Sequence, residues 1–230
     1  MPYKEDYIPY KNVEEAVKYF TDKITAGFSF LNLQHQTGFH EVDIKRFETR
    51  ICVVIDCGIS AIVMVGVTLE EFLKSLLKYK FISENRDESV EPTLDELEKS
   101  SLAAESNFGF FKLHNAIEKC RAEELITEEE KSQLMEIKEN IRNAFVHSDK
   151  SKIFDPNVKG EVTSVKFEDG TFVPKESKEL SALALIFAQG ILQKDLANKE
   201  AKSIFENVDS LILQISNRFW QNRDKNKKAT

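Results

Sequence analysis

Few residues in this chain interrupt secondary structure: its 230 residues include only 8 Gly and 5 Pro. A β-sandwich or barrel needs many tight turns, so this small supply argues against both and makes long helices the expectation. Cysteine is scarce as well. Cys52, Cys57 and Cys120 are odd in number and lack CxxC spacing. That pattern argues against a disulfide framework and a zinc site, and it fits a reducing compartment such as the cytoplasm. The opening residues Met1 to Asp6 carry acids where an export signal has a basic region and an apolar stretch, so no export signal is expected. The one long apolar run, Ile51 to Val67, contains Asp56, Gly58 and Ser60, and reads as a buried core helix instead of a membrane span. Positive charge is in deficit, with 32 Lys and Arg against 39 Asp and Glu and a net charge of -7. Such a field repels a polyanion and excludes broad coating of nucleic acid. It leaves room for a small basic pocket, because catalysis depends on stabilising a transition state and not on tight ground-state binding. A Gly-rich phosphate loop, a GxSxG elbow and an HExxH pair are all missing, which removes the signatures of P-loop, serine-hydrolase and zinc-protease chemistry. No cofactor and no metal are expected.

What is present is a large apolar supply, 41% of the residues with 17 Phe, enough for a sizeable core. Val13, Ala16, Val17, Phe20 and Ile24 recur at helical spacing, with Asn12 as N-cap and Glu15 three residues on. Gly27 to His40 reads as an irregular connection. Glu41 to Phe81 reads as one long helix or two broken near Gly58, with Leu69, Phe72, Leu73, Leu76 and Leu77 on one face. Residues 82 to 100, rich in acids, read as a solvated excursion followed by a short acidic helix. Asn107 to Glu124 reads as helix, and Thr127 with Glu130 is a capping box opening the next, which carries Leu134, Ile137, Ile141, Ala144 and Phe145. Thr163 to Phe167, Asp169-Gly170 and Thr171 to Val173 form a hairpin signal after a linker over 150 to 159. Glu176 to Leu196 and Glu200 to Trp220 read as two closing helices. The expected class is therefore all-α, with a small β-hairpin and two extra C-terminal helices. Its divisions are 1 to 40, a helical core over 41 to 150, and 151 to 230.

At the end of the penultimate core helix stands Ile141-Arg142-Asn143-Ala144-Phe145-Val146-His147. A guanidinium is a permanent planar ligand for phosphate, and an imidazole both takes and gives a proton near neutrality, so the pair fits phosphoryl-ester chemistry. On a straight helix Arg142 and His147 fall about 140° apart and cannot aim at one atom. Either the helix ends before His147 and the chain turns, or two copies meet across a twofold axis.

This segment resembles the Arg-x(4 to 6)-His signature of the HEPN family, including the polar residue after the arginine, here Asn143. The run Ala61 to Glu70 is similar to the family's core helix, in which an aliphatic face precedes an acid, and the resemblance spans about residues 42 to 150. It implies a helical bundle that dimerises into a metal-independent endoribonuclease, of the toxin or antiphage-defence kind, with RNA as substrate and a cognate antitoxin as a further partner. Residue by residue it implies that Arg142 binds the scissile phosphate, His147 moves protons and Asn143 orients the substrate or its neighbours. Some family toxins carry Tyr two residues after the histidine, where this chain has Asp149. A HEPN-like regulator without catalysis, similar to mannitol-operon repressors, is the competing expectation, favoured by the low basic charge and the long C-terminal extension.

Two acids form a second tier. Asp56 lies inside an apolar run, where a carboxylate needs a partner and a bond to Ser60 or a backbone group would satisfy it. Glu70 matches the family's acid position, though Glu71 beside it marks an already polar face. His35, His40 and His114 lack metal-ligand spacing and read as ordinary polar residues.

Overall fold

Asn12 starts the first helix as its spacing predicts: its side chain accepts from the Glu15 amide at 2.9 Å, opening α1 (Val13–Ala26). The computed structural model describes residues 11–32, 35–85, 92–146, 153, 159–168, 171–181 and 189–229. The connection expected to be irregular contains one short helix, α2 (Phe28–Leu31), followed by a turn into α3 (His40–Val54). That turn needs Gly38, whose φ is 81°, and a Cβ there would meet the Trp220 indole nitrogen at 2.7 Å.

The apolar run is broken near Gly58, so α4 (Gly58–Glu84) is a separate helix. Among the described residues no helix is long and apolar enough to cross a membrane. Along α4, Ala61, Ile62, Val65, Leu69, Phe72, Leu73, Leu76 and Leu77 are all buried. They cover more than one face because α3, α5, α6 and the last helix all pack against α4.

The acidic segment contains a capping box, in which Thr93 and Glu96 bond each other's backbone amides. It launches α5 (Leu94–Phe108), a longer helix than the short one expected. The helix expected over Asn107 to Glu124 is instead split. Gly109 ends α5, with its amide donating to the Glu105 carbonyl at 2.8 Å, and α6 (Leu113–Ala122) starts afresh. Thr127 and Glu130 then open α7 (Glu128–Glu136) with the capping box the sequence shows. Beyond it the helix does not remain α: Ile137–Arg142 is π-helical, and α8 (Asn143–Val146) follows.

β1 (Lys159–Glu168) pairs antiparallel with β2 (Thr171–Ser181), so the expected hairpin is present and longer than its signal. The register shifts between Ser164 and Val165, which face Glu176 and Pro174, leaving Lys175 as the extra residue of a bulge. The closing pair of helices requires correction. Residues 176 to 181 belong to β2, 182 to 188 lie outside the described residues, and Gln189–Ala229 forms one helix, α9, of 41 residues. Ala197-Asn198-Lys199 contains no breaker, and Asn198 turns its side chain to the Gly58 amide instead of ending its own helix.

Phe205, Val208, Leu211, Ile212 and Ile215 of α9 join the main core around α4. A smaller cluster lies at the start of α4. There Ala61, Ile62, Ala197 and Ala201 are buried, with Cys52, Ile141 and Phe145 packed against them. The all-α class holds, with the hairpin as a minor element.

Candidate functional site

The segment carrying Arg142 is anchored from its apolar side. Leu134 is fully buried and Ile137 packs on the main core, whereas Ile141 and Phe145 reach the smaller cluster. Arg142 is the last residue of the π-helical stretch. A π-helix bonds i to i+5 and so takes more residues per turn than an α-helix, which means the straight-helix angles do not carry across residues 137 to 142. Asn143, half-buried, starts α8, and its amide nitrogen donates to Glu139 Oε2 at 3.3 Å. Glu139 also pairs with Lys138. His147 lies outside the described residues, so the expected pairing with Arg142 falls outside them too.

Neither second-tier acid approaches this arrangement with a free carboxylate. Asp56 sits in the turn between α3 and α4 in the left-handed region, at φ 57°, a conformation Asp tolerates better than most residues. Its Oδ2 accepts from the Tyr19 hydroxyl at 3.1 Å and pairs with Lys23, which ties α1 to the turn. The partner expected for it, Ser60, is not what holds it. Glu70 lies about 18 Å along α4 from Gly58. Its Oε2 accepts from the Leu113 amide at 2.9 Å, capping α6, and its Oε1 pairs with Lys74 at 3.0 Å. Because Ile141 and Phe145 pack at the Ala61 end, Glu70 belongs to a different neighbourhood.

A buried ionic cluster escaped the sequence reading. Arg46, 1% exposed, donates through Nε and Nη2 to the two oxygens of Asp209 at 2.5 and 3.1 Å. Its Nη1 reaches Asp43 at 2.7 Å and the His35 carbonyl at 2.9 Å. Arg50 donates to Asp209 at 3.0 Å and to the carbonyls of Phe30 and Asn32, each at 2.9 Å, with its guanidinium over the Phe30 and Phe205 rings. One signal was available: Asp209 lies between Val208 and Leu211 on an apolar helix face and demands a cationic partner. A cleft of about 370 Å³ opens beside the cluster, with His35 and Glu206 in its lining. Two carboxylates balance two guanidiniums, so the cluster clamps the segment before α3 onto α9 and has no surplus charge for a phosphate. A second cleft of similar volume, lined by His40, Lys78 and Glu105, lies between α4 and α5. Among the described residues no three metal-ligating side chains come together.

Compared with protein-family models, curated proteins and solved structures, the chain finds no match.

Proposed function

We propose that this chain is a metal-independent endoribonuclease of the HEPN type, acting as a homodimer in a toxin or antiphage-defence role. The reading rests on one observation: an Arg-x4-His segment whose arginine ends a π-helical stretch. Such stretches are rare and frequently mark functional sites. Two copies meeting on this segment bring two arginines and two histidines into one cleft.

One imidazole takes the proton of the ribose 2'-OH, whose oxygen attacks phosphorus. The Arg142 guanidinium meets the charge that develops on the phosphorane oxygens, and Asn143 orients the substrate. The second imidazole protonates the departing 5'-oxygen, leaving a 2',3'-cyclic phosphate and a 5'-hydroxyl. DNA lacks the attacking hydroxyl and is not a substrate.

The test is cleavage of RNA by the full chain in excess chelator. Arg142→Ala and His147→Ala should each lower the rate by about 100-fold or more. Equal rates in the wild type and both variants would end the reading.

A non-catalytic interaction module is the second reading, and α1 favours it. Its apolar residues keep helical spacing, yet none is buried against the described residues, and Val13 and Val17 are 78% and 60% exposed. Under that reading a partner protein shifts the tryptic susceptibility of residues 13 to 26, and RNA stays intact.

A further inference from the structure

Spacing alone gives no reason to pair the cysteines; the end of α3 does. Its last turn closes with two nested hydrogen bonds, Cys57 amide to Cys52 carbonyl at 2.8 Å and Asp56 amide to Val53 carbonyl at 3.3 Å. With Asp56 left-handed between them, this is the Schellman arrangement of a helix C-terminus. In that motif the residues opening and closing the wider ring bring their side chains into contact, usually as an apolar pair. Here both are cysteines. Bond lengths and the 2.8 Å hydrogen bond bound their Cα separation at about 6.7 Å, within the roughly 4.4–6.8 Å that a disulfide spans. Both thiols are free, with Cys57 exposed and Cys52 half-buried. Burial first, then the charges of Cys57 and Glu48, hold the Cys52 thiol above its ordinary range. Cys120 is apart, fully buried, its thiol facing the Leu73 carbonyl at 3.4 Å.

We propose that Cys52 and Cys57 close reversibly into a disulfide across the α3–α4 turn by exchange with a low-molecular-weight disulfide. Cys57, the accessible sulfur, loses its proton to water and attacks one sulfur of the reagent. The reagent's S–S bond breaks, one small thiolate leaves and a mixed disulfide remains. Cys52 then gives its proton to water and attacks the Cys57 sulfur, expelling the second small thiolate. Two protein thiols are oxidised and one external disulfide is reduced to two thiols.

The pair also touches the rest of the molecule. Cys52 packs on the cluster of Ala61, Ile62, Ala197 and Ala201, which also holds Ile141 and Phe145. The next residue after Cys57 is fastened to α9, the Gly58 amide donating to Asn198 Oδ1 at 2.8 Å. Closing the disulfide draws the Cys52 sulfur toward Cys57 and changes its packing against the cluster that holds Ile141 and Phe145.

The test equilibrates the full chain in glutathione buffers of stepped ratio, quenches in acid, alkylates under denaturing conditions and records intact mass and peptide maps. Oxidising ratios should give a species lighter by two hydrogens, with Cys120 the one alkylated thiol and a crosslinked 52–57 peptide. Excess reduced glutathione should restore three thiols. Cys57→Ser should abolish the two-hydrogen loss. Three alkylated thiols at every ratio, a lasting glutathione adduct on Cys57 beside a free Cys52, or the same loss in Cys57→Ser would each overturn the pairing. Amide exchange over residues 137–146 should differ several-fold between the two forms, and identical exchange would overturn the coupling to that segment. Neither readout uses RNA, so this inference and the ribonuclease reading fail separately.

Discussion

One carboxylate, Glu123, shows what a single residue contributes at a helix junction. It pairs with Lys119 one turn back on α6 and, at 2.7 Å, with Lys80 on α4, whose ammonium also donates to the Glu123 carbonyl at 2.9 Å. The hydrogen bonds from Lys119 and then Lys80 lower its pKa from the ordinary 4.5 to about 2. A folded value below the unfolded one means that the stabilisation is fully present above about pH 4.5 and is lost as pH falls toward 2. Because the carboxylate is partly open to solvent, its worth is about 1 kcal/mol and not the full amount implied by the shift. Glu123→Gln should therefore unfold more readily at pH 7 by about 1 kcal/mol, and the gap between the two proteins should close by about pH 2. Urea titrations at several pH values measure this, and a gap that stayed constant would show that the ion pairs are not its source.

Among the elements, α7 was the easiest to read and the hardest to finish. Its start follows from local chemistry, since Thr127 and Glu130 reciprocally bond each other's backbone amides. The sequence did not reveal that Glu130, 3% exposed, also receives both guanidinium nitrogens of Arg218 at 2.6 Å each, which clamps α7 to α9. Nor did it reveal the π-helical stretch, because the apolar positions 134, 137, 141 and 145 fit an α-helix adequately and say nothing about how the backbone bonds. Glu130→Ala should thus cost about 2–3 kcal/mol, since it removes a charge-assisted pair as well as the cap while leaving Arg218 open enough to be rehydrated. Thr127→Ala, which removes the cap alone, should cost only about 1 kcal/mol. Equal shifts in the urea midpoint for the two variants would mean that Arg218 contributes nothing beyond the cap. The same limit applied elsewhere. Asn12 and Gly58 mark their boundaries through local signals, whereas residues 176 to 181 are too polar to announce a strand and are held as one by pairing with 159 to 164.

For the whole molecule, the decisive contact is the approach of α9 to the start of α4. The starts of α1 and α7, the hairpin and the buried stripe of α4 were legible because each is written within a few residues. The Arg46–Asp209 and Gly58–Asn198 bonds join positions more than a hundred residues apart, which no local period encodes. Of the candidate site, the sequence supplied the Arg142 segment and its apolar anchoring face, but not the buried ionic cluster or the capping role of Glu70. α9, about 60 Å long, lies against α4 with Ala197 and Ala201 at the contact, small residues that let two backbones come close. The approach is tight at Gly58. A Cβ built there would lie 2.4 Å from the Ala197 carbonyl carbon and 2.5 Å from the Asn198 nitrogen, backbone atoms that cannot rotate away. In an open helix Gly→Ala stabilises by about 1 kcal/mol. Here the added methyl must push α9 outward, stretching the Gly58–Asn198 bond and loosening the cluster that holds Ile141 and Phe145. Gly58→Ala should therefore lose about 2–3 kcal/mol, an overpacking cost that outweighs the propensity gain. Ser60→Ala, exposed on the same turn, should change stability by less than about 0.5 kcal/mol. Thermal unfolding of both variants decides the matter. A Gly58→Ala protein as stable as the wild type would mean that α9 does not press on this turn, and the cluster that holds Ile141 and Phe145 would have to be packed in some other way.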